Sequence, residues 1–469
     1  MLGFLMKFEK SSNGRKRQLT PNACPSRRKN LYTWPLAVSL DALFVSASRK
    51  ERICHKPMVL SVELLVFLCV FIPYQLVASE NMTTALLDKS EFERRPRVKY
   101  HLYDPQLFTM YTECLPKLKR PCYSNSGYNN FVYMLDVLFL ESIIALNQSV
   151  HPSEATLFII PVFYNQATVP DFPCFQSGNE LKHIAQMYEV LHSLGHYKPG
   201  VRNHFLMANH YAAGLPDYSG NFVYEAELIV GRFENPSIFP PTERLVLKDA
   251  DQIFSVGYAT KAGVFRQCSE EHASHGKKAP LPISRRKYLW AFTGGTVVGN
   301  PSFYHRNVLY GQTRNNSVAP ADTFISVYKK GEPFSHANPL ADGRKICRNS
   351  LLYLSIRGDT PTTDRILAVF EYLTLLGVLS VERESLLPLL PFSERVPWDE
   401  IIIWIDTDAF IKDPVHAVRS AALALSDSEK ERRFNLMKKH RRDVLWAYEE
   451  SVAVFNVLED ASSRVKVLR

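Results

Sequence analysis

The sequence lacks the paired cysteines of a structural zinc site. It contains eight cysteines in 469 residues, and none of the five after residue 78 belongs to a Cys-x-x-Cys pair, which argues against zinc binding. In an oxidising compartment Cys114 and Cys122 could bridge a local loop, and ordinary buried thiols are the alternative. Internal repeats and low-complexity tracts are also absent, so a repeat protein is not indicated.

Most of the chain also lacks net charge. The formal charge is +9, but residues 1–56 hold twelve of the 56 Lys and Arg and only three of the 47 Asp and Glu. The other residues therefore carry 44 charges of each sign. A basic folded face for DNA or RNA is not supported, and we expect no nucleic-acid partner.

One apolar stretch, residues 58–78, has about the length that spans a bilayer core, although Glu63 interrupts it. The basic tail, residues 1–57, precedes it, so we expect a single-pass type II signal anchor with the C-terminal part in the lumen. Translation from Met58 would instead give a cleavable signal peptide, and the Arg-rich leader also fits an organellar transit sequence. Three sequons follow the stretch and favour the secretory route, at Asn81, Asn147 and Asn315.

After a polar stem at 79–95, short apolar runs alternate with helical patterns, which predicts βαβ units and largely parallel sheets. The best linker is Ser269–Ser284, so we predict one lobe at 96–275 and a second at 285–455. The predicted strands are 98–103, 156–162, 204–208, 228–230, 288–292, 351–355, 378–381 and 401–405. The predicted helices are 130–146, 179–194, 302–311, 362–376 and 428–455, the last with a capping box from Ser428 to Glu431.

The most informative segment is Ser350–Ile405. An apolar strand, Leu351–Leu354, leads into the turn Arg357-Gly358-Asp359-Thr360-Pro361 and then into a helix that carries Arg365 and Glu371. Leu390-Pro391-Phe392 and Trp398 follow. A strand that ends in a glycine turn and opens into a helix presents free backbone N–H groups to an anion, and a diphosphate is the natural guest.

This order resembles the C-terminal half of the exostosin-like glycosyltransferases, which bind a nucleotide-sugar there. Other segments resemble the family in the same order: Arg97–Tyr103, Pro152–Pro161, and Arg285–Gly294 followed by Arg306-Asn307. The resemblance implies an α/β protein of two doubly wound Rossmann-like lobes, the GT-B architecture, after one N-terminal membrane segment.

The resemblance also implies a Golgi enzyme that transfers a sugar, with inversion and without a metal, from a nucleoside diphosphate-sugar to a glycan or glycoprotein hydroxyl. Such an enzyme needs no other cofactor, and oligomers with itself or with related transferases are compatible with the family. Without a metal, Arg, Lys and helix N-termini must neutralise the leaving diphosphate. The implied donor contacts are Arg286, Lys287, Arg306, Arg357, Gly358, Asp359, Arg365 and, for the ribose hydroxyls, Glu371.

The sequence does not identify the general base that would deprotonate the acceptor. Asp217, Glu225 and Glu227 form an acidic patch and are candidates. His204 and His210 flank a predicted strand and could face the cleft, although a single histidine is more often structural.

Two other interpretations remain open. Asp406-Thr407-Asp408 follows an apolar strand, as in metal-dependent GT-A transferases, where carboxylates hold a divalent cation on the diphosphate. A catalytically inactive exostosin-fold partner or lectin is the second. Its support is that Arg365 and Glu371 are six residues apart where the family has about three, and that Gly377–Ser380 replaces the family's Cys-Ile-Pro-Val.

Overall fold

The structure is a computed structural model. It describes residues 98–118, 134–170, 172, 174–210, 228–232, 252–257, 280–315, 320–329, 339–358, 360–446 and 451–467. All of them belong to the larger of two compact units, Phe71–Arg469. No helix among these residues is long and apolar enough to cross a membrane. The predicted anchor at 58–78 lies outside them.

The first lobe is built on a five-stranded parallel sheet. Its strands are β1 (Tyr100–Leu102), β2 (Leu157–Ile159), β4 (His204–Met207), β5 (Ile229–Arg232) and β6 (Ile253–Ser255), adjacent in that order. The described strands therefore follow one another without the reversal that defines a doubly wound sheet. The prediction of an α/β lobe with a parallel sheet is confirmed, but doubly wound order is not found in the described strands of this lobe.

The sheet of the first lobe is buried on both faces. Phe205 on one face contacts Phe139 edge-on, with ring centroids 5.2 Å apart. Leu206 points to the opposite face and belongs to the same core cluster as Ile184 and Met187. Alternation of side chains along each strand explains this division, and burial on both faces is typical of parallel sheets.

The second lobe contains a five-stranded parallel sheet of order β8-β7-β9-β10-β11. Its strands are β7 (Tyr288–Thr296), β8 (Thr323–Lys329), β9 (Ser350–Ser355), β10 (Leu375–Leu379) and β11 (Ile403–Ile405). The chain moves from β7 to one side and then returns to build the other side from β9. This lobe is doubly wound, as predicted, and its topological switch point lies between the carboxyl ends of β7 and β9.

Fourteen α-helices are described. Those of the first lobe are α1 (Thr109–Thr112), α2 (Leu115–Leu118), α3 (Leu135–Leu146), α4 (Tyr164–Thr168) and α5 (Glu180–Ser193). Those of the second are α6 (Tyr304–Asn315), α7 (Pro339–Arg348), α8 (Arg365–Tyr372), α9 (Arg383–Leu386), α10 (Trp398–Ile401), α11 (Thr407–Lys412), α12 (Pro414–Leu423) and α13 (Asp427–Val444). The last helix is α14 (Ala453–Ser463).

The C-terminal end of the chain returns to the first lobe. Helix α14 packs on β5 and α3, and β12 (Lys466–Val467) pairs antiparallel with β3 (Val201–Arg202). The long predicted helix at 428–455 is therefore two helices that pack on different lobes. The first is capped by Ser426, whose hydroxyl accepts from the Glu429 N–H at 3.2 Å, so the predicted capping box was two residues out of place.

Helix α8 and strand β10 also differ from the prediction. The helix ends at Tyr372, and Leu373 adopts the left-handed conformation with φ of 48°. The strand then begins at Leu375, three residues before its predicted start. The leucine-rich stretch from Leu373 to Leu379 is compatible with either a helix or a strand, so the sequence does not mark where α8 ends and β10 begins.

Candidate functional site

Arg306 joins the two strands that border the switch point. Its guanidinium donates to the Ile356 carbonyl after β9, from Nη2 at 2.7 Å and Nε at 3.1 Å, and from Nη1 to the Gly295 carbonyl in β7 at 2.9 Å. The residue is 6% exposed. A Cβ on Gly358 would lie 3.0 Å from Nη2, so the glycine lets the guanidinium pack flat on the turn. Arg306 is thus held by backbone carbonyls and connects the ends of β7 and β9 at the switch point.

Arg365 begins α8 and, like Arg306, lies near the ring of Phe292. Its Nε donates to the Thr293 carbonyl at 2.7 Å, and its guanidinium carbon lies 5.6 Å from the centroid of Phe292, against 5.9 Å for Arg306. A Cβ on Gly294 would come within 2.8 Å of its Nη2. Nη1 lies 4.0 Å from Oδ1 of the exposed Asp364 side chain, a contact too long for a hydrogen bond. The two terminal nitrogens therefore keep donor capacity for a ligand.

Arg357 follows β9 and extends toward β10. Its Nη1 lies 3.5 Å from Oε2 of Glu382, whose side chain is 7% exposed. Burial raises the pKa of the Glu382 carboxyl, and the charge of Arg357 acts against that rise. His305 on α6 is close by, and burial lowers its pKa, with a further lowering by the charge of Arg357. This part of the site therefore contains the guanidinium of Arg357, the carboxyl group of Glu382 and the imidazole of His305.

The first turn of α8 opens toward the first lobe. No side chain caps its N-terminus, but the N–H groups of Ile366 and Leu367 donate to the carbonyls of Thr363 and Asp364, each at 3.1 Å. These amides are therefore engaged within the turn. The turn borders a small crevice that is partly open to solvent. Gly257, just beyond β6, forms the opposite wall, and a Cβ there would lie 3.1 Å from Pro391. The remaining lining residues are Thr362, Thr363, Ile366, Leu367, Leu389 and Leu390.

The structure does not bring Arg286 and Lys287 to this crevice. They precede β7, whereas the switch point lies beyond its ninth residue, about 25–30 Å away. The Arg286 guanidinium donates to backbone carbonyls, including Ser350 at 2.7 Å and Leu373 at 2.8 Å, and burial lowers its pKa to about 10. Lys287 is exposed beside the Tyr288 ring. The start and the end of β7 lie at opposite edges of the sheet. Arg286 and Lys287 therefore do not lie at the switch point, where they had been predicted to contact the donor.

Glu371 is also remote from the anion site. Six residues separate it from Arg365 along α8, which corresponds to about 9 Å along the axis and about 120° around it. Its Oε2 lies 3.9 Å from Nη1 of Arg344 on α7. The position three residues after Arg365, on the same side of the helix, is occupied by Ala368. The acidic residue implied by the resemblance is therefore missing from this face of α8.

The Asp406-Thr407-Asp408 segment begins a helix. The Asp406 carboxylate accepts from the Ala409 N–H at 2.7 Å and caps α11, and Asp408 is an exposed residue of the first turn. The Thr407 N–H donates to the hydroxyl of Ser380 at 3.3 Å. Within the described part of the chain, no three His, Cys, Asp or Glu side chains are grouped so that they could hold a metal ion.

In the first lobe, a buried polar network joins the carboxyl ends of β2 and β4. Asp136, 1% exposed, accepts from the N–H groups of Val137 and Asn165, each at 3.0 Å. The Asn165 side chain contacts Asn209 and accepts from the His210 N–H at 3.3 Å. Burial raises the pKa of Asp136 to about 7. The network holds together the segments that follow β2 and β4.

The two predicted histidines are structural. His204 is fully buried, with Nε2 2.8 Å from the Tyr103 hydroxyl and its ring stacked on Phe158. Burial lowers the pKa of His204 to about 3, with a further lowering from His196. Burial and the neighbouring charge of Arg232 do the same for His210. Neither histidine reaches the crevice through a described contact.

Several predicted residues fall outside the described part of the chain: Asp359, Asp217, Glu225, Glu227, Asn81 and Cys122. Cys114 is buried beside Cys174, and the two thiols interact. Asn147 is exposed and ends α3 in the left-handed conformation with φ of 49°. Asn315 is the last residue of α6.

The sequence-based prediction missed Glu382, Asp136 and the bracing role of Arg306. Glu382 had a recognisable signal, because it is the first acidic residue after the apolar run that forms β10. Acidic residues at the carboxyl ends of parallel strands lie where ligands bind. Asp136 had none, since it lies in a largely apolar helix whose sequence does not distinguish it from Glu141.

No protein-family model matches the chain, and no curated protein matches it. Among solved structures, one similar chain is described as the glycosyltransferase of kitacinnamycin. The two are 11% identical, the match covers 68% of this chain and 74% of that chain, and the TM-score is 0.27.

Proposed function

We propose that the chain is a glycosyltransferase that transfers a sugar from a nucleoside diphosphate-sugar to a hydroxyl group of a glycan or glycoprotein, with inversion. The observation that carries the proposal is the switch point of the second lobe. There Arg357, which follows β9, and Arg365, which donates to the Thr293 carbonyl of β7, lie at the carboxyl edge of the sheet. Thr362 and Thr363, between them in the chain, line a crevice that Gly257 of the first lobe also borders. Guanidinium groups suit a diphosphate, and this edge is where doubly wound sheets bind nucleotides.

The reaction follows from that placement. The acceptor oxygen attacks the anomeric carbon, the bond from that carbon to the β-phosphate oxygen breaks, and the electron pair leaves with the diphosphate. Arg357 and Arg365 stabilise the charge that develops on the leaving oxygen. The acceptor proton must pass to a base, and Asp217, Glu225 and Glu227, which lie outside the described residues, are the candidates from the sequence. Because the cations already neutralise the diphosphate, the proposed reaction needs no metal ion.

A second candidate is a nucleotide-sugar-binding partner or lectin without turnover. The observation that favours it is Ala368, which stands where the resemblance implies an acidic contact to the ribose. Binding and turnover measured on the same preparation separate the two candidates. Binding of a nucleotide-sugar without transfer or hydrolysis would select the partner.

The test of the proposal is a screen of radiolabelled nucleotide-sugars with the full-length protein, scored for hydrolysis and for transfer to glycan acceptors. We expect turnover with at least one donor, with inverted anomeric configuration and with activity retained in a chelator. A protein that binds no nucleotide-sugar, no nucleoside diphosphate and no pyrophosphate would refute the proposal. Loss of activity in chelator would favour the GT-A interpretation centred on Asp406 and Asp408.

The proposed location is the Golgi membrane, with a type II anchor at 58–78 and the two lobes in the lumen. The basis is the charged tail before the apolar stretch and the sequons after it. In intact microsomes we expect the C-terminus to be protected from added protease. Digestion of the C-terminus before the vesicles are opened would exclude this topology.

A further inference from the structure

Glu382 is a buried carboxylate at the edge of the sheet that the proposed function assigns to the donor. It lies at the end of the short 3-10 turn Ser380–Glu382, directly after β10. Its carbonyl accepts from the Ser385 hydroxyl at 3.1 Å, which holds the turn in place. Two residues later Glu384 is exposed on α9. The sequence therefore places one acid in the site and a second, otherwise similar acid in solvent.

The pair that Glu382 forms with Arg357 is loose. A single contact of 3.5 Å joins Nη1 to Oε2, and the buried Nε of Arg357 has no hydrogen-bond partner in the described residues. Arg395 provides a contrast on the same lobe, because its two terminal nitrogens lie 2.8 Å from Glu459 and 2.6 Å from Asp460. Arg357 and Glu382 thus both retain hydrogen-bonding capacity that a ligand can use.

The distance between the two groups limits what Glu382 can contact. If Arg357 donates to a phosphate oxygen at about 2.9 Å, the Glu382 carboxylate lies within about 6.5 Å of that oxygen. A carboxylate and a phosphate repel each other, so Glu382 cannot bind the diphosphate itself. Within that reach, the parts of a nucleotide-sugar that donate hydrogen bonds are the ring hydroxyls of the ribose and of the transferred sugar.

We propose that Glu382 is a donor-specificity residue whose carboxylate accepts hydrogen bonds from the hydroxyl groups of a sugar ring while Arg357 holds the adjacent phosphate. The inference rests on the proposed function, since it assigns the hydroxyls to the donor bound there. The hydroxyls come from either the ribose or the transferred sugar, and ligands that lack one of them distinguish these sources. Burial, which raises the pKa of the carboxyl, strengthens its hydrogen bonds by lowering the local dielectric.

The experiment compares Glu382→Gln with the wild-type full-length protein and with Glu384→Gln as a matched control. Four ligands are titrated: inorganic pyrophosphate, uridine or guanosine diphosphate, its 2′-deoxy analogue, and the donor identified by the transfer screen. Glu382→Gln should weaken the donor about tenfold to a hundredfold, the usual effect of losing hydrogen bonds to a charged group. Pyrophosphate affinity should stay equal or rise, because a like charge is removed. Glu384→Gln should match the wild type throughout.

The outcomes distinguish the ribose from the transferred sugar as the source of the hydroxyls. They also distinguish a failure of this inference from a failure of the proposed function. A loss with the nucleoside diphosphate that the 2′-deoxy analogue does not show assigns the ribose, whereas a loss with the donor alone assigns the transferred sugar. Equal losses for pyrophosphate and donor would mean that Glu382 only positions Arg357, and an unchanged donor affinity would mean that it contacts no ligand. Either result overturns the inference. If Glu382→Gln does not fold, Glu382→Asp keeps the charge and should show the same selective loss. A wild-type protein that binds none of the ligands refutes the proposed function instead.

Discussion

Arg306 and Arg365 contact the same phenylalanine ring, yet the structure predicts opposite consequences for removing them. Arg306 is 6% exposed and donates three hydrogen bonds to two backbone carbonyls that border the switch point. Arg306→Ala leaves the Ile356 and Gly295 carbonyls without these donors. Each unsatisfied buried acceptor costs about 1–3 kcal/mol, so we expect a loss of about 3 kcal/mol from the stability of the second lobe.

Arg365→Ala should have a different effect. Only one backbone hydrogen bond is lost, to the Thr293 carbonyl at 2.7 Å, which corresponds to about 1 kcal/mol. For a lobe of this size a change of 1 kcal/mol shifts the melting temperature by about 2–4 °C. We therefore expect a shift of about 6–12 °C for Arg306→Ala and about 2–4 °C for Arg365→Ala.

The loss of pyrophosphate affinity should have the reverse order, larger for Arg365→Ala than for Arg306→Ala. Arg365 offers its terminal nitrogens to the ligand, so Arg365→Ala should weaken pyrophosphate binding by at least tenfold at a temperature where both variants are folded. Thermal unfolding followed by intrinsic fluorescence, with titration calorimetry on the same samples, measures both quantities. Equal melting temperatures for the two variants, or a stable Arg306→Ala protein that has lost pyrophosphate binding, would contradict the division into a bracing and a binding arginine.

Three further results are expected. Arg357→Ala should lower the turnover rate by about 10² to 10³, the usual effect of losing one contact to a charged leaving group. Asp408→Asn and added chelator should leave the rate nearly unchanged. The opposite pattern in a kinetic assay would favour the metal site. Because burial raises the pKa of Asp136 to about 7, the folded state holds a proton that the unfolded state releases near pH 4. Stability should therefore fall as pH rises from about 4 to about 7, and urea titrations of Asp136→Asn should show a flatter dependence. Burial lowers the pKa of His204 to about 3, so its contribution should have the other sign, with stability lost as pH falls from about 6.5; a His204→Gln protein that is equally sensitive to acid would rule this out.

Local sequence patterns were sufficient to predict much of the second lobe. The apolar run Leu351–Leu354, the Arg-Gly turn and the following helix are local patterns, and β9 and α8 lie where they predict, apart from the helix ends. Such elements depend on side-chain periodicity and turn residues within a short stretch of chain. The boundary between α8 and β10 was misplaced because leucines support both a helix and a strand.

Which charged residues lie together at the site depends on contacts between segments far apart in the chain. Arg286 and Arg306 are equally basic in the sequence, but β7 separates them, so one clamps the start of the sheet and the other braces its carboxyl edge. The predicted acid, Glu371, lies away from the site because it faces α7 from the far end of α8. Glu382, which was not predicted, lies beside Arg357 because it directly follows β10. The sequence likewise did not predict that α14 packs on the first lobe. Strand order and the packing of distant segments depend on contacts between residues far apart in sequence, and local patterns do not encode them.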